Sequence, residues 1–315
     1  MLLSTCCASG YIIGQLDVDT AYLNAEIKEK VYLEVPKGLK MGSKFVLKLN
    51  RALYGLKQAA NAWNTTIHNA LIKMEFQAFG ADRCIYKKED SDGWIYVCLY
   101  VDDMIVAAKS TTMVNNVKHQ ISQRFQSKDL GSVKYLLGME INYDHKKREM
   151  SITQQKYLKL TAEHFKQSQA RVTENPCDPS LKLPGEDSPK TPEEKEIMKR
   201  TPPDVAFAVS QLGRFASGPG QQHWKAAIKV LRYLNSTITF GIHYNRNEAP
   251  NQIPAYSDAD WGNNLDDRMS VSGVLILPNG GPVVFKSKYQ LTVALSTSEA
   301  EFMALSMCTQ YVLWA

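Results

Sequence analysis

The stretch Ile95-Tyr96-Val97-Cys98-Leu99-Tyr100-Val101-Asp102-Asp103-Met104-Ile105-Val106-Ala107-Ala108 decides the fold. Two β-prone runs flank adjacent acids with no room for a long loop, so a tight antiparallel hairpin carrying both carboxylates at its tip is expected. Adjacent carboxylates between buried strands repel each other and lose hydration, a cost that a cation or hydrogen-bond donors must offset. A divalent metal is the natural remedy. An Asp-Asp pair is also common in exposed turns, so the dipeptide alone does not decide its use.

A second signal lies upstream. In Gln15-Leu16-Asp17-Val18-Asp19-Thr20-Ala21-Tyr22-Leu23-Asn24 an acid again ends a short apolar strand, and an aromatic follows five residues later. Two-metal phosphoryl transfer needs carboxylates from separate strands that hold ions ~3.5–4 Å apart, one activating the attacking hydroxyl and one stabilising the leaving group. Asp17, Asp102 and Asp103 could supply them.

Working outward, short apolar runs alternate with helical periodicity at residues 60–74 and 112–125, the pattern of an α+β region. Residues 152–168 read as a basic amphipathic helix with Tyr157, Leu160 and Phe165 on one side. Seven prolines between Asn175 and Pro203, with many acids, leave no core-forming residues, so 177–203 is expected to be a flexible linker. Residues 204–217 and 221–236 then read as helices, the second with Trp224, Ile228 and Leu231 inward and Lys225, Lys229 and Arg232 outward. Strands at 254–257, 271–277 and 282–287, with a turn at Asn279-Gly280-Gly281, precede a helix from about Thr297.

Lys plus Arg outnumber Asp plus Glu by 37 to 32, which suits a polyanionic partner without requiring one. Six cysteines without a CxxC pair read as free thiols in a reducing compartment. The opening residues 1–10 lack the basic start of a signal peptide and read as a core helix, and no apolar run reaches the ~20 residues a membrane-spanning helix needs.

Residues 15–24, Leu53-Tyr54-Gly55-Leu56-Lys57-Gln58-Ala59, Tyr100-Val101-Asp102-Asp103 and Leu137-Gly138-Met139-Glu140-Ile141 together resemble, in order and spacing, the reverse transcriptases of copia-type LTR retrotransposons (Pseudoviridae). The resemblance implies that Asp17 and Asp102 bind Mg²⁺, or Mn²⁺, that Asp103 supports them, and that the Val18 carbonyl is a further ligand. It makes Tyr22 the steric gate beneath the sugar. Tyr54 and Gly55 would pack under the incoming nucleotide, with Lys57 within reach of a phosphate, against the alternatives of ordinary core packing and a solvated lysine. Leu137-Gly138-Met139 resembles the primer grip, against ordinary core packing.

The resemblance extends to Ala255-Tyr256-Ser257-Asp258-Ala259-Asp260-Trp261-Gly262 and Ser296-Thr297-Ser298-Glu299-Ala300-Glu301, which are similar to the first half of a ribonuclease H domain. Asp258 and Glu301 match its metal carboxylates. Asp260 shares a strand face with Asp258 and rivals it, and Glu299 is expected to be solvated. The implied layout is a palm at 1–150 without its N-terminal fingers, a thumb-like segment at 151–176, the linker at 177–203, connection-like helices at 204–252 and a truncated ribonuclease H-like unit at 253–315. The expected partners are an RNA or DNA template with primer and deoxynucleotides, without a membrane, in a cytoplasmic virus-like particle or the nucleus.

Two expectations oppose full activity. The basic fingers that clamp the triphosphate in family members lie ahead of Leu2, and two ribonuclease H carboxylates lie beyond Ala315. Near Pro202 relatives carry a further helix before an Arg-Pro-Asp sequence, whose loss would leave Phe207 and Val209 short of packing. The rival reading is a transposon remnant that binds nucleic acid and catalyses nothing.

Overall fold

The computed structural model describes residues 1–36, 38, 45–80, 82–177, 202–215, 220–246, 252–264 and 267–314. Of the linker expected at 177–203, residues 178–201 lie outside them. The described chain packs as two compact units, Gly10–Val133 and a second formed by Met1–Ser9 with Lys134–Ala315.

The helix α1 (Leu2–Ala8) belongs to the second unit. The first unit is a six-stranded antiparallel sheet with helices against one face. Its strands are β1 (Ile12–Val18), β4 (Gln77–Ala78), β5 (Ile85–Asp90), β6 (Gly93–Tyr100), β7 (Asp103–Ala108) and β8 (Ser127–Ser132), in the order β4-β5-β6-β7-β1-β8. A separate two-stranded ribbon joins β2 (Tyr32–Glu34) to β3 (Val46–Lys48). The helices are α2 (Ala59–Lys73) and α3 (Thr111–Ser122), the latter capped by Ser110, whose hydroxyl accepts from the Met113 amide.

Strand alternation sorts the residues. Leu16 and Val18 of β1, Ile95, Val97 and Leu99 of β6, and Met104, Val106 and Ala108 of β7 enter one core with Trp63, Ile67 and Leu71 of α2 and Val114, Val117 and Ile121 of α3. Their neighbours at odd positions of β1 and β7, Gln15, Asp17, Asp103 and Ile105, therefore lie on the opposite face.

In the second unit, β9 (Tyr135–Leu136), β10 (Met139–Asp144), β11 (Glu149–Thr153) and β12 (Ile242–Tyr244) form an antiparallel sheet in the order β12-β11-β10-β9. Lys146, Lys147 and Arg148 occupy the tip between β10 and β11, where Asp144 accepts from the Lys146 and Lys147 amides. The helices α4 (Gln155–His164), α5 (Ala206–Gly213) and α6 (Gln221–Ser236) share a core of Leu158, Ala208, Leu212, Ala227, Val230 and Leu234. The strands β13 (Ala255–Ala259), β14 (Val271–Ile276) and β15 (Val284–Tyr289) form a third antiparallel sheet, against which α7 (Thr297–Trp314) packs through its buried Ala300, Ala304 and Cys308.

Several sequence expectations need correction. The buried stripe of α4 is Leu158 and Ala162, four apart, and Leu160 is 58% exposed because a helix turns it to the other side. On α6 the inward stripe runs through His223, Ala227, Val230, Leu231 and Leu234, leaving Trp224 and Ile228 half-buried at its margin. The α5 helix starts after a 3-10 turn at Pro203–Val205, whose first position Pro203 fills without losing a helical hydrogen bond. Phe207 is exposed, whereas Val209 packs against the α4–α6 core.

Candidate active site

The β6–β7 hairpin turns on Val101 and Asp102 alone, and Val101 pays for that tightness with a φ of +54°, a conformation a β-branched residue rarely adopts. The strain is held in place from outside the hairpin. The Trp63 indole donates to the Val101 carbonyl at 2.9 Å, and the Val18 amide donates to the Asp102 carbonyl at 2.9 Å.

Three carboxylates lie near one another at this turn. Asp17 of β1 lies directly opposite Asp103 of β7 in the antiparallel register, so their side chains share the face away from the helices. Asp102 precedes them on the turn itself. Burial and then the charges of Asp103, Asp102 and Asp19 raise the Asp17 carboxyl pKa, with Lys128 acting in the opposite sense. Gln15, two residues before Asp17 and thus on its face, donates to Asp103 Oδ1 at 3.2 Å. Asp102 Oδ1 accepts from the Ala21 amide at 3.2 Å and from the Tyr54 hydroxyl at 2.6 Å. Burial and that hydrogen bond to Asp102 push the Tyr54 phenol up to about 12. The Tyr54 ring packs on the Tyr22 ring with centroids 4.5 Å apart.

The structure thus brings Asp17, Asp102, Asp103, Tyr22 and Tyr54 into one neighbourhood. Gly55 follows Tyr54 at φ +94°, which a side chain would strain, in a turn closed by the Leu56 amide on the Leu53 carbonyl. Lys57 is exposed, without a hydrogen bond among the described residues. Among those residues no three His, Cys, Asp or Glu side chains converge as a ready-made metal cage. Sequence reasoning gave no role to Gln15 or Trp63. The signals were there: Gln15 shares the strand period of Asp17, and a buried indole N–H requires an acceptor.

In the second unit Leu137 and Gly138 form the two-residue turn between β9 and β10, both at positive φ. Asp258 is exposed on β13 and Glu301 is exposed on α7. Asp260 instead accepts from the Val271 amide at 2.5 Å, which commits it to the β13–β14 edge. Glu299 is not simply solvated as expected. Its carboxylate accepts from the Leu295 amide at 2.7 Å while Ser296 Oγ accepts from the Glu299 amide, a cap at the start of α7. No described helix is long and apolar enough to cross a membrane.

Known proteins resemble this chain along nearly its whole length. The sequence pattern of the family described as Reverse transcriptase (RNA-dependent DNA polymerase) matches residues 1–179. The retrovirus-related Pol polyprotein from transposon TNT 1-94 of Nicotiana tabacum is 33% identical over 99% of the chain, and that from transposon RE1 of Arabidopsis thaliana is 30% identical over 96%. The chain spans 25% and 21% of those two proteins. A putative transposon Ty5-1 protein of Saccharomyces cerevisiae is 32% identical, with 92% of this chain and 98% of that protein aligned. The chain belongs to the reverse transcriptase family, in the lineage of copia-type retrotransposon Pol polyproteins.

Proposed function

We propose that the hairpin-bearing unit works as a reverse-transcriptase palm that adds deoxynucleotides to a primer 3′-hydroxyl on an RNA or DNA template. The observation that carries this reading is the pairing of Asp17 with Asp103 across two strands, with Asp102 on the adjoining turn. Carboxylate oxygens gathered at one turn, where burial and the Asp103 and Asp102 charges raise the Asp17 pKa, are a hard, anionic donor set, so the residues fit Mg²⁺, with Mn²⁺ as a substitute. Asp17 and Asp102 would hold the ions with the Val18 carbonyl, and Asp103, already engaged by Gln15, would support them. When bound, such ions favour attack of the hydroxyl on the nucleotide and neutralise the leaving pyrophosphate.

The chain's own residues do the positioning. Tyr22 sets the floor for the sugar, the Tyr54-Gly55 turn lies under the nucleotide, and Lys57 offers an exposed cation for a phosphate. The Leu137-Gly138-Met139 turn serves as primer grip. We further assign residues 1–150 to the palm, 151–176 to a thumb-like segment, 204–252 to connection-like helices and 253–315 to a ribonuclease H-like unit with Asp258 and Glu301 as its metal carboxylates. Intact relatives' cytoplasmic virus-like particles are the proposed setting.

Primer extension by the purified chain in Mg²⁺ or Mn²⁺ tests the reading. Asp102→Asn is expected to lower extension by more than about a hundredfold, since even outer partners of metal ligands cost 10–100-fold. No extension by the unaltered chain at any metal level sinks the catalytic claim. A second reading, a transposon remnant that binds nucleic acid without turnover, draws on the excess of 37 Lys and Arg over 32 Asp and Glu. It expects salt-sensitive binding alongside that absence of extension.

A further inference from the structure

Asp102 is engaged before any ligand reaches it. Its Oδ1 accepts from both the Tyr54 hydroxyl at 2.6 Å and the Ala21 amide at 3.2 Å, so the two acceptor directions of that oxygen are taken and only Oδ2 is left. The Tyr54 contact has the short separation of a hydroxyl donating to a carboxylate, about twice as strong as a bond between neutral groups. The tyrosine is not fixed by a core. It is 51% exposed on the short turn closed by Leu53 and Leu56, next to Gly55, where open space surrounds the backbone. The ring packs on the Tyr22 ring, and its hydroxyl is held by Asp102 and the Tyr22 backbone.

We propose that Tyr54 is a positioning residue that competes with the divalent cation for Asp102. Its hydroxyl must leave Oδ1 before the carboxylate can offer both oxygens to an ion, and the exposed turn lets it do so without disturbing the core. Because the ring leaves against Tyr22, the same movement opens the surface assigned to the sugar. Metal and nucleotide are thereby admitted through one side chain. This inference rests on Asp102 being a metal carboxylate.

The test is Mn²⁺ titration of the full chain without nucleotide, followed by electron paramagnetic resonance of the free ion, for the unaltered protein, Tyr54→Phe and Asp102→Asn. Phenylalanine keeps the ring against Tyr22 and removes the hydroxyl, with its hydrogen bonds to Asp102 and to the Tyr22 backbone. Tyr54→Phe is expected to bind Mn²⁺ about tenfold tighter, the scale of one hydrogen bond to a charged group, while Asp102→Asn loses that binding. If Asp102→Asn weakens binding but Tyr54→Phe binds equally or more weakly than the unaltered chain, the competition is overturned and the metal-site reading stands. If Asp102→Asn binds like the unaltered chain, the metal-site reading itself fails and takes this inference with it.

Discussion

At Asp17 burial and the carboxylates of Asp103, Asp102 and Asp19 work together to raise the carboxyl pKa, opposed by Lys128. A charge kept under those conditions costs folding stability, and sites built for a ligand commonly carry such a cost. Asp17→Asn removes one of the like charges and keeps the shape. In EDTA it is expected to raise the melting midpoint by roughly a few degrees, measured by calorimetry. A lower midpoint would mean that the carboxylate is held by favourable contacts instead. The acids themselves were legible from residue order, whereas the donors that restrain them were not. Strand period and a buried indole mark Gln15 and Trp63 as needing partners, but Trp63 lies 38 residues before Val101 and Gln15 88 before Asp103, so the pairing itself is set by the fold.

The coupling of α3 to β8 shows how an element is fixed by one buried charge. Lys118 is nearly sealed in the interior yet donates to Asp129 at 2.5 Å and to the Gly131 carbonyl at 2.9 Å. Its stem passes where a Cβ on Gly14 would come within 2.6 Å of Lys118 Cε, so a glycine at that point of β1 makes room for the lysine. Burial would raise the Asp129 pKa, but the Lys118 and Gly131 hydrogen bonds and the Lys118 charge outweigh it and lower it from 3.8. A carboxyl lowered in the folded state contributes stability that is complete above its unfolded value and is lost as pH falls through the folded one. Asp129→Asn is expected to cost about 1–3 kcal/mol at neutral pH, because it weakens the pairing of a buried ammonium. It also flattens the loss of stability below pH ~4, the ordinary carboxylate range, in urea melts across pH. An unchanged acid limb would place the pH dependence elsewhere. Periodicity located α3 to within a few residues, but Lys118 sits on the buried side of that helix, where a sequence pattern expects an apolar residue.

On the scale of the molecule the chain does not divide where its motifs do. Met1–Ser9 packs with Lys134–Ala315 although Gly10 to Val133 intervene. The α1 helix supplies Ser4, whose hydroxyl donates to the Pro278 carbonyl and accepts from the Asn279 amide group, and Cys7, whose thiol donates to the Arg148 carbonyl. Deleting residues 1–9 should therefore speed hydrogen exchange in β11 and β12, the strands α1 packs against, more than in β1, β6 and β7. A larger rise in β1, β6 and β7 than in β11 and β12 would contradict the partition. Burial and the Glu149 charge push the Cys7 thiol up to about 11, in keeping with a thiol used for packing.

By itself the sequence determined the α+β class, the hairpin at residues 95–108, both helices of the first unit, the three C-terminal strands with their helix, and the family. These are local: strand and helix periods repeat within a few residues, and a two-residue turn between apolar runs leaves little choice. It also named the three acids and both tyrosines. Tertiary structure alone decided that Asp17 faces Asp103 in register, that Tyr54 closes on Asp102, that Lys118 is buried with Asp129, and that α1 joins the distant unit. Each of those depends on which strands pair and which faces meet, and that is set by burying one common core rather than by the residues on either side of the group concerned.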